Sequence, residues 1–365
     1  MAADLIPALD PMPLPGPTWL FHVLWVVTFT IHLLFVNMVL GGSLLAAVSG
    51  AGTPHRREIT RFFVEVNGWA ISLAITFGIA PLLFTQVVLG RFFYSATILI
   101  APAWLGMLGF LAVGYYLNYV AKFRLKAGRS PAVLPLVGAC FLIIAGIQVT
   151  VNLVHQQPER WPAVAEGAWV ALADPTFVPR LLHFVLAAAA LSGAVLAWAM
   201  VRRARSGDAP DIYRRAAAFG VRTVLVTTLL QLVVGFWLLF ALPEPVLKGF
   251  LRAGGAVHGP LGVGILAGVL LLVVAAQISD PLAQSVKVRR AMELVVVAVV
   301  VMVLTRHQLR AIYLAPARAD EVLEVAPQWD VLALFLVVFL LGVGVTIWAM
   351  VRAVKDRPGP GEAAA

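Results

Sequence analysis

Nine stretches of about 20 or more mostly apolar residues follow one another along this 365-residue chain. A helix needs about 20 such residues to cross the hydrocarbon layer of a bilayer. The stretches are Thr18–Ser49, Ile59–Leu89, Ser95–Ala121, Ala132–His155, Val178–Met200, Arg214–Leu242, Val257–Ile278, Ala291–Leu314 and Trp329–Val351. They predict an all-α polytopic membrane protein: an outer N-terminal segment over 1–17, a nine-helix transmembrane bundle over 18–353 and a cytoplasmic tail over 354–365. Only 12% of residues are charged and 61% are hydrophobic, against about a quarter charged in soluble domains. Soluble enzymes, disordered chains and disulfide scaffolds are thereby excluded. The first 17 residues carry Asp4 and Asp10 but no Lys or Arg, so no signal-peptide n-region is expected and the first span is read as a retained helix.

The basic residues set the orientation, because cytoplasmic loops concentrate Lys and Arg. One side holds 18 of them, in clusters such as Arg56, Arg57, Arg61 and Lys287, Arg289, Arg290; the other holds eight. The split alternates across all nine spans, with the N-terminus outside and the C-terminus in the cytoplasm, as in a bacterial inner membrane. The net charge of +9 is thus a topology signal and lipid is the expected partner. A nucleic-acid partner would need a clustered basic face, and none is read.

Six of the seven histidines fall in the outer half of the bundle: His22, His32, His155, His183, His258 and His307. A polar residue near a helix end commonly anchors at the interface or bonds a neighbouring helix, which is the first reading of His22 and His155. His32 lies ten residues deeper, about 15 Å along the axis, inside TFTIHLLFVNMVLGG. An ionisable residue at that depth costs enough to imply a function. Neutral imidazole is the usual axial ligand of b-type haem. The single cysteine, Cys140, leaves no structural disulfide, thiolate cluster or two-cysteine haem attachment. Haem propionates pair with cations, and Arg180, Arg252, Arg306 and Arg310 stand near the histidines against the charge trend. Carboxylates are scarce: Glu65 and Glu293 have no acidic partner at helical spacing. The run GGAVHGPLGVGILAG lacks the Lys-Ser/Thr pair of a phosphate loop, and close helix packing explains it better.

The run Val27–Val36 around His32, followed by Leu40-Gly41, resembles the first helix of subunit I of cytochrome bd quinol oxidases. Weaker similarity continues collinearly through Arg61-Phe62-Phe63, Asn67, Gln86, Gly90, Ala101-Pro102, Asn152–Pro158, Asp174-Pro175, Arg180, His183 and Gln308–Ile312. The resemblance implies that His32 ligates a haem of the family's active-site pair and that His183 ligates its low-spin haem b. The chain departs from that pattern in four places. Ala101–Leu108 carries none of the family's proton-feeding glutamates, and the carboxylate preceding its Gln-Pro-Trp signature is replaced by apolar residues and His307. The quinol loop shrinks to about Pro243–Gly255. Where the family has a methionine ligand, His258 stands near its place.

These features together imply two or more haems b, His183 pairing with His258 and His32 with His307, with His22 and His155 in reserve. The leading expectation is a b-type cytochrome passing electrons between the quinone pool and an outer-side partner such as a c-type cytochrome. The acidic Asp320–Glu324 segment is a candidate part of that contact. A quinone site has no sequence address. One alternative is a bd-like terminal oxidase subunit; another is a haem-free transporter or structural subunit, although no clear inverted repeat is present.

Overall fold

The computed structural model describes residues 6–8, 12–205, 209–319, 321 and 323–355. Asp4, Asp10, Asp320 and the tail beyond 355 lie outside the described residues. The elements are α1 (Thr18–Ser49), α2 (Pro54–Leu99), α3 (Ala101–Lys126), α4 (Leu134–Gln156), the short α5 (Trp161–Glu166) and α6 (Trp169–Leu172), α7 (Phe177–Ala204), α8 (Pro210–Phe240), α9 (Glu244–Arg252), α10 (Gly255–Ala276), α11 (Ser285–Leu314) and α12 (Trp329–Lys355). Among the described residues the only extended pairing is a single bridge between Leu14 and Val325. The chain is an all-α, multi-pass membrane protein.

Among the described residues eight helices are long and apolar enough to cross a membrane: α1, α2, α3, α4, α7, α8, α10 and α12. The ninth expected span, α11, is a 30-residue helix that falls short of that standard. Its uninterrupted apolar run, Leu294–Thr305, has only 12 residues, about 18 Å of helix. Arg306, His307, Gln308 and Arg310 therefore follow before a bilayer core of about 30 Å has been crossed. The polarity of α11 gathers at both ends, with Lys287, Arg289, Arg290 and Glu293 at its start and Arg306–Arg310 toward the end that the charge asymmetry assigns to the outer side.

Two boundaries differ from those expected. The second span does not stop near Leu89: backbone angles there leave the helical region, yet the helix resumes and continues to Leu99. Ser95 consequently belongs to α2, and α3 starts at Ala101, with Pro102 in its first turn, where a missing N–H costs nothing. The shortened loop between the sixth and seventh spans contains a helix of its own, α9. Its Val246 and Phe250 turn inward, and Val246 packs with Leu242 and Tyr313.

Small residues let the helices of the larger unit approach closely, as is common where lipid offers no hydrophobic drive for association. A Cβ at Gly41 of α1 would lie 2.0 Å from the Ala188 carbonyl of α7. Gly193 of α7 and Gly220 of α8 face each other in the same way: a Cβ on either would come within 3.0 Å of the other's carbonyl oxygen. Around these crossings Leu40, Phe63, Ile71, Leu196 and Met200 fill the core.

The chain divides into two compact units. The larger holds α1 from Val23 onward through α11. The smaller joins Leu9–His22 to the segment from Glu321 onward, which includes α12. Within the smaller unit the Leu14 N–H donates to the Glu324 carbonyl at 2.8 Å, and the Ala326 N–H returns a bond to Leu14 at 2.9 Å.

Candidate functional site

His32 projects from α1 onto α2. Its Nδ1 lies 2.8 Å from the Ala74 carbonyl oxygen, which can only accept, so Nδ1 carries the proton and Nε2 keeps its lone pair. Gly78, one turn along α2, makes the room: a Cβ there would lie 2.8 Å from His32 Cε1. A backbone carbonyl fixing one ring nitrogen while the other stays basic is the arrangement of a metal-ligating imidazole.

His183, on α7, faces α8 in a similar cradle. A Cβ at Gly235 would lie 3.3 Å from its Cε1, and the Gln231 side-chain nitrogen stands 3.4 Å from Nε2, beyond the usual N–H bond length. Its buried Nδ1 has no hydrogen-bond partner.

The outer end of α11 meets α1, α4 and α7 in a cation-rich cluster. Arg306 donates from Nη2 to Asn152 Oδ1 at 2.7 Å and lies 4.8 Å over the Phe29 ring. Arg310, 5% exposed, lies 4.1 Å over Trp25 and donates from Nη2 to His307 Nδ1 at 2.8 Å. Nδ1 of His307 is therefore the acceptor, which leaves the ring proton on Nε2. Trp25 stacks on Phe29 at 4.7 Å, lies 5.2 Å from the His307 ring and donates to Thr85 Oγ1 at 2.8 Å. Phe29 continues to His32 at 6.2 Å, so an aromatic series links His307 to His32. Arg180 reaches the cluster from α7; its Nε and Nη2 are buried without a hydrogen bond, with Tyr313 and the Asp174 carboxylate in electrostatic range. A buried cation without an anion is costly. Arg180, Arg306 and Arg310 thus gather buried positive charge at this end, with the Asp174 carboxylate in range of Arg180.

The α4–α7 connection closes over this end through Asp174, 5% exposed. Its Oδ1 accepts from the Thr176 N–H at 2.8 Å and hydroxyl at 2.6 Å, and its Oδ2 from Gln157 Nε2 at 3.1 Å; Arg160 completes the set with an ion pair. Burial pushes the Asp174 carboxyl up, but the bonds from Thr176 and Gln157 and the Arg160 charge outweigh it and hold the group below its ordinary value.

The remaining expected residues lie elsewhere. His258 donates from Nε2 to the Phe250 carbonyl at 2.8 Å and meets that ring edge-on, which ties the end of α9 to α10. Arg252 ends α9 exposed. His22 is half-buried in the smaller unit. Sequence reasoning did not single out Trp25, Phe29, Gly78 or Tyr313, because an aromatic or glycine in an apolar run gives no signal of its own. Among the described residues no group of three or more His, Cys, Asp or Glu side chains is arranged to hold a bare metal ion. A porphyrin brings four of its iron's ligands, so one or two histidines suffice.

The helices and the polar end of α11 define a class: a polytopic helical membrane protein with a bd-oxidase-like fold. The chain is similar to a chain of the bd oxidase from Geobacillus thermodenitrificans, with a TM-score of 0.71 and 16% identity, covering 95% of this chain and 100% of that one. No family model and no curated protein matches it. The resemblance drawn from the His32 and His183 segments therefore holds for the fold.

Proposed function

We propose that this protein is a membrane-bound b-type cytochrome that passes electrons between the quinone pool and an outer-side redox partner such as a c-type cytochrome. The observation that carries the reading is His32: an ionisable residue deep in an apolar helix, its Nδ1 held by the Ala74 carbonyl and its ring seated over Gly78. Such an imidazole offers Nε2 to iron without rearranging. His183, with its buried unpartnered Nδ1 and the glycine cradle at Gly235, supports a second ligand position. Arg180, Arg306 and Arg310 would hold propionates, whose negative charge would balance this buried cationic cluster. Haem b would supply one-electron transfer there. The chain's own residues orient the ligands, neutralise the carboxylates and exclude water from the α1–α11 contact through Trp25 and Phe29.

The likeness to a bd oxidase favours a second reading, a terminal oxidase subunit. Against it, Ala101–Leu108 of α3 carries no carboxylate to bring protons inward. The two readings separate in one anaerobic experiment. Quinol added to the purified complex is expected to reduce its haem bands, and a soluble c-type cytochrome is expected to reoxidise them without oxygen. Reoxidation by oxygen alone, with steady quinol-driven oxygen uptake, would establish the oxidase reading instead.

A further inference from the structure

His155 closes α4 with only 4% of its surface exposed, and its buried Nε2 has no hydrogen-bond partner. The Val151 carbonyl, one turn back, is within reach of the other ring nitrogen. The ring thus resembles that of His183 in holding a buried nitrogen that no protein group engages. A buried nitrogen left unpaired is costly, and a bound group or a water is what such an atom in a folded protein calls for.

The surroundings restrict what that partner is. Arg310, Arg306 and Arg180 are all in electrostatic range of His155, so a bare divalent cation would be repelled. A group with an electron-accepting centre and anionic arms satisfies both the lone pair and the arginines. His307, the neighbour expected to ligate, is already engaged by Arg310 through Nδ1. Turning its Nε2 to a metal would place a proton on Nδ1, against the arginine donor.

We propose that His155, rather than His307, supplies an axial Nε2 to a second haem, with Arg306 and Arg310 directed at its propionates. This rests on the b-type cytochrome reading. The ligand is a position on α4 that the resemblance at the His32 and His183 segments does not assign.

The test uses the full chain, purified from membranes, with haem counted per protein by pyridine haemochrome. His155→Gly is expected to lose one haem per chain relative to the unsubstituted protein, and added imidazole to restore it. His155→Met is expected to keep the haem and raise the midpoint potential of one component, as thioether ligation does. His307→Gln is expected to leave the haem count unchanged. Full haem content and unaltered potentials in both His155 variants would overturn the assignment. So would a loss in His155→Gly that imidazole does not restore, together with no potential shift in His155→Met, because that pattern marks a packing role. An unsubstituted protein without haem would instead refute the cytochrome reading itself, before any variant is compared.

Discussion

A Cβ added to Gly78 would stand 2.8 Å from Cε1 of His32, closer than such atoms pack. The glycine on α2 therefore sets where the imidazole on α1 can lie. The same helix supplies the Ala74 carbonyl that fixes the ring proton. Gly78→Ala is expected to push the ring off this carbonyl and reduce haem occupancy at His32, while the helices remain folded. Haem per chain and helical circular dichroism check both halves; unchanged haem content would show that the cradle does not position His32.

Arg310 joins two rings, donating to His307 and lying over Trp25. A cation near a haem stabilises its reduced form. Arg310→Leu is thus expected to lower the midpoint potential of the nearest haem, by on the order of tens of millivolts for a charge about 10 Å away at an effective dielectric near 20. Arg310→Lys keeps the charge and is expected to shift it less. Redox titration followed optically measures both, and a rise in potential for Arg310→Leu would contradict the placement.

Gly41 is the tightest point between α1 and α7, with a Cβ position 2.0 Å from the Ala188 carbonyl. Gly41→Ala forces the two backbones apart, and overpacking of this kind costs about 1–3 kcal/mol. The thermal midpoint in detergent is expected to fall. Gly106, where a Cβ would meet nothing within 4 Å, serves as the control: Gly106→Ala is expected to leave the midpoint unchanged or raise it, since alanine favours helix.

The Asp174 network gives the outer loop a pH dependence of known sign. Its carboxyl is held below the ordinary value, so its stabilisation is complete above the free-carboxylate pKa of about 3.9. It is lost as pH falls through the lower folded value. Hydrogen-exchange protection over 157–176, taken relative to the intrinsic rate at each pH, is expected to be high near neutrality and to fall below about pH 4. Asp174→Asn, which removes a buried charged acceptor at a cost of about 1–3 kcal/mol, is expected to open the loop at neutral pH. Equal protection in the two proteins would contradict this role.

The fold was legible in the chain because apolar length is a one-dimensional property. Eight spans among the described residues could be read from it directly, and the bd-like fold followed from the His32 and His183 segments. The exceptions have physical causes. The kink at Leu89 lies inside a run without a helix stop, and α9 is too short and amphipathic to stand out from a loop. Within the site, the histidines and arginines were visible because charge is rare in such a sequence. Their partners were not: the Arg306–Asn152 bond spans 154 residues and the His32–Ala74 bond 42. Which histidine is engaged and which has a lone pair to give depends on those distant contacts.

The central claim is that the buried imidazoles of this bundle hold haem b. A reduced-minus-oxidised spectrum of the purified protein, quantified as pyridine haemochrome, tests it most directly. The account predicts b-type bands with two or more haems per chain, one of them lost in His32→Ala. A protein that is correctly folded and inserted in the membrane yet shows no b-type bands would contradict it, and would leave a haem-free membrane subunit built on the bd-oxidase fold.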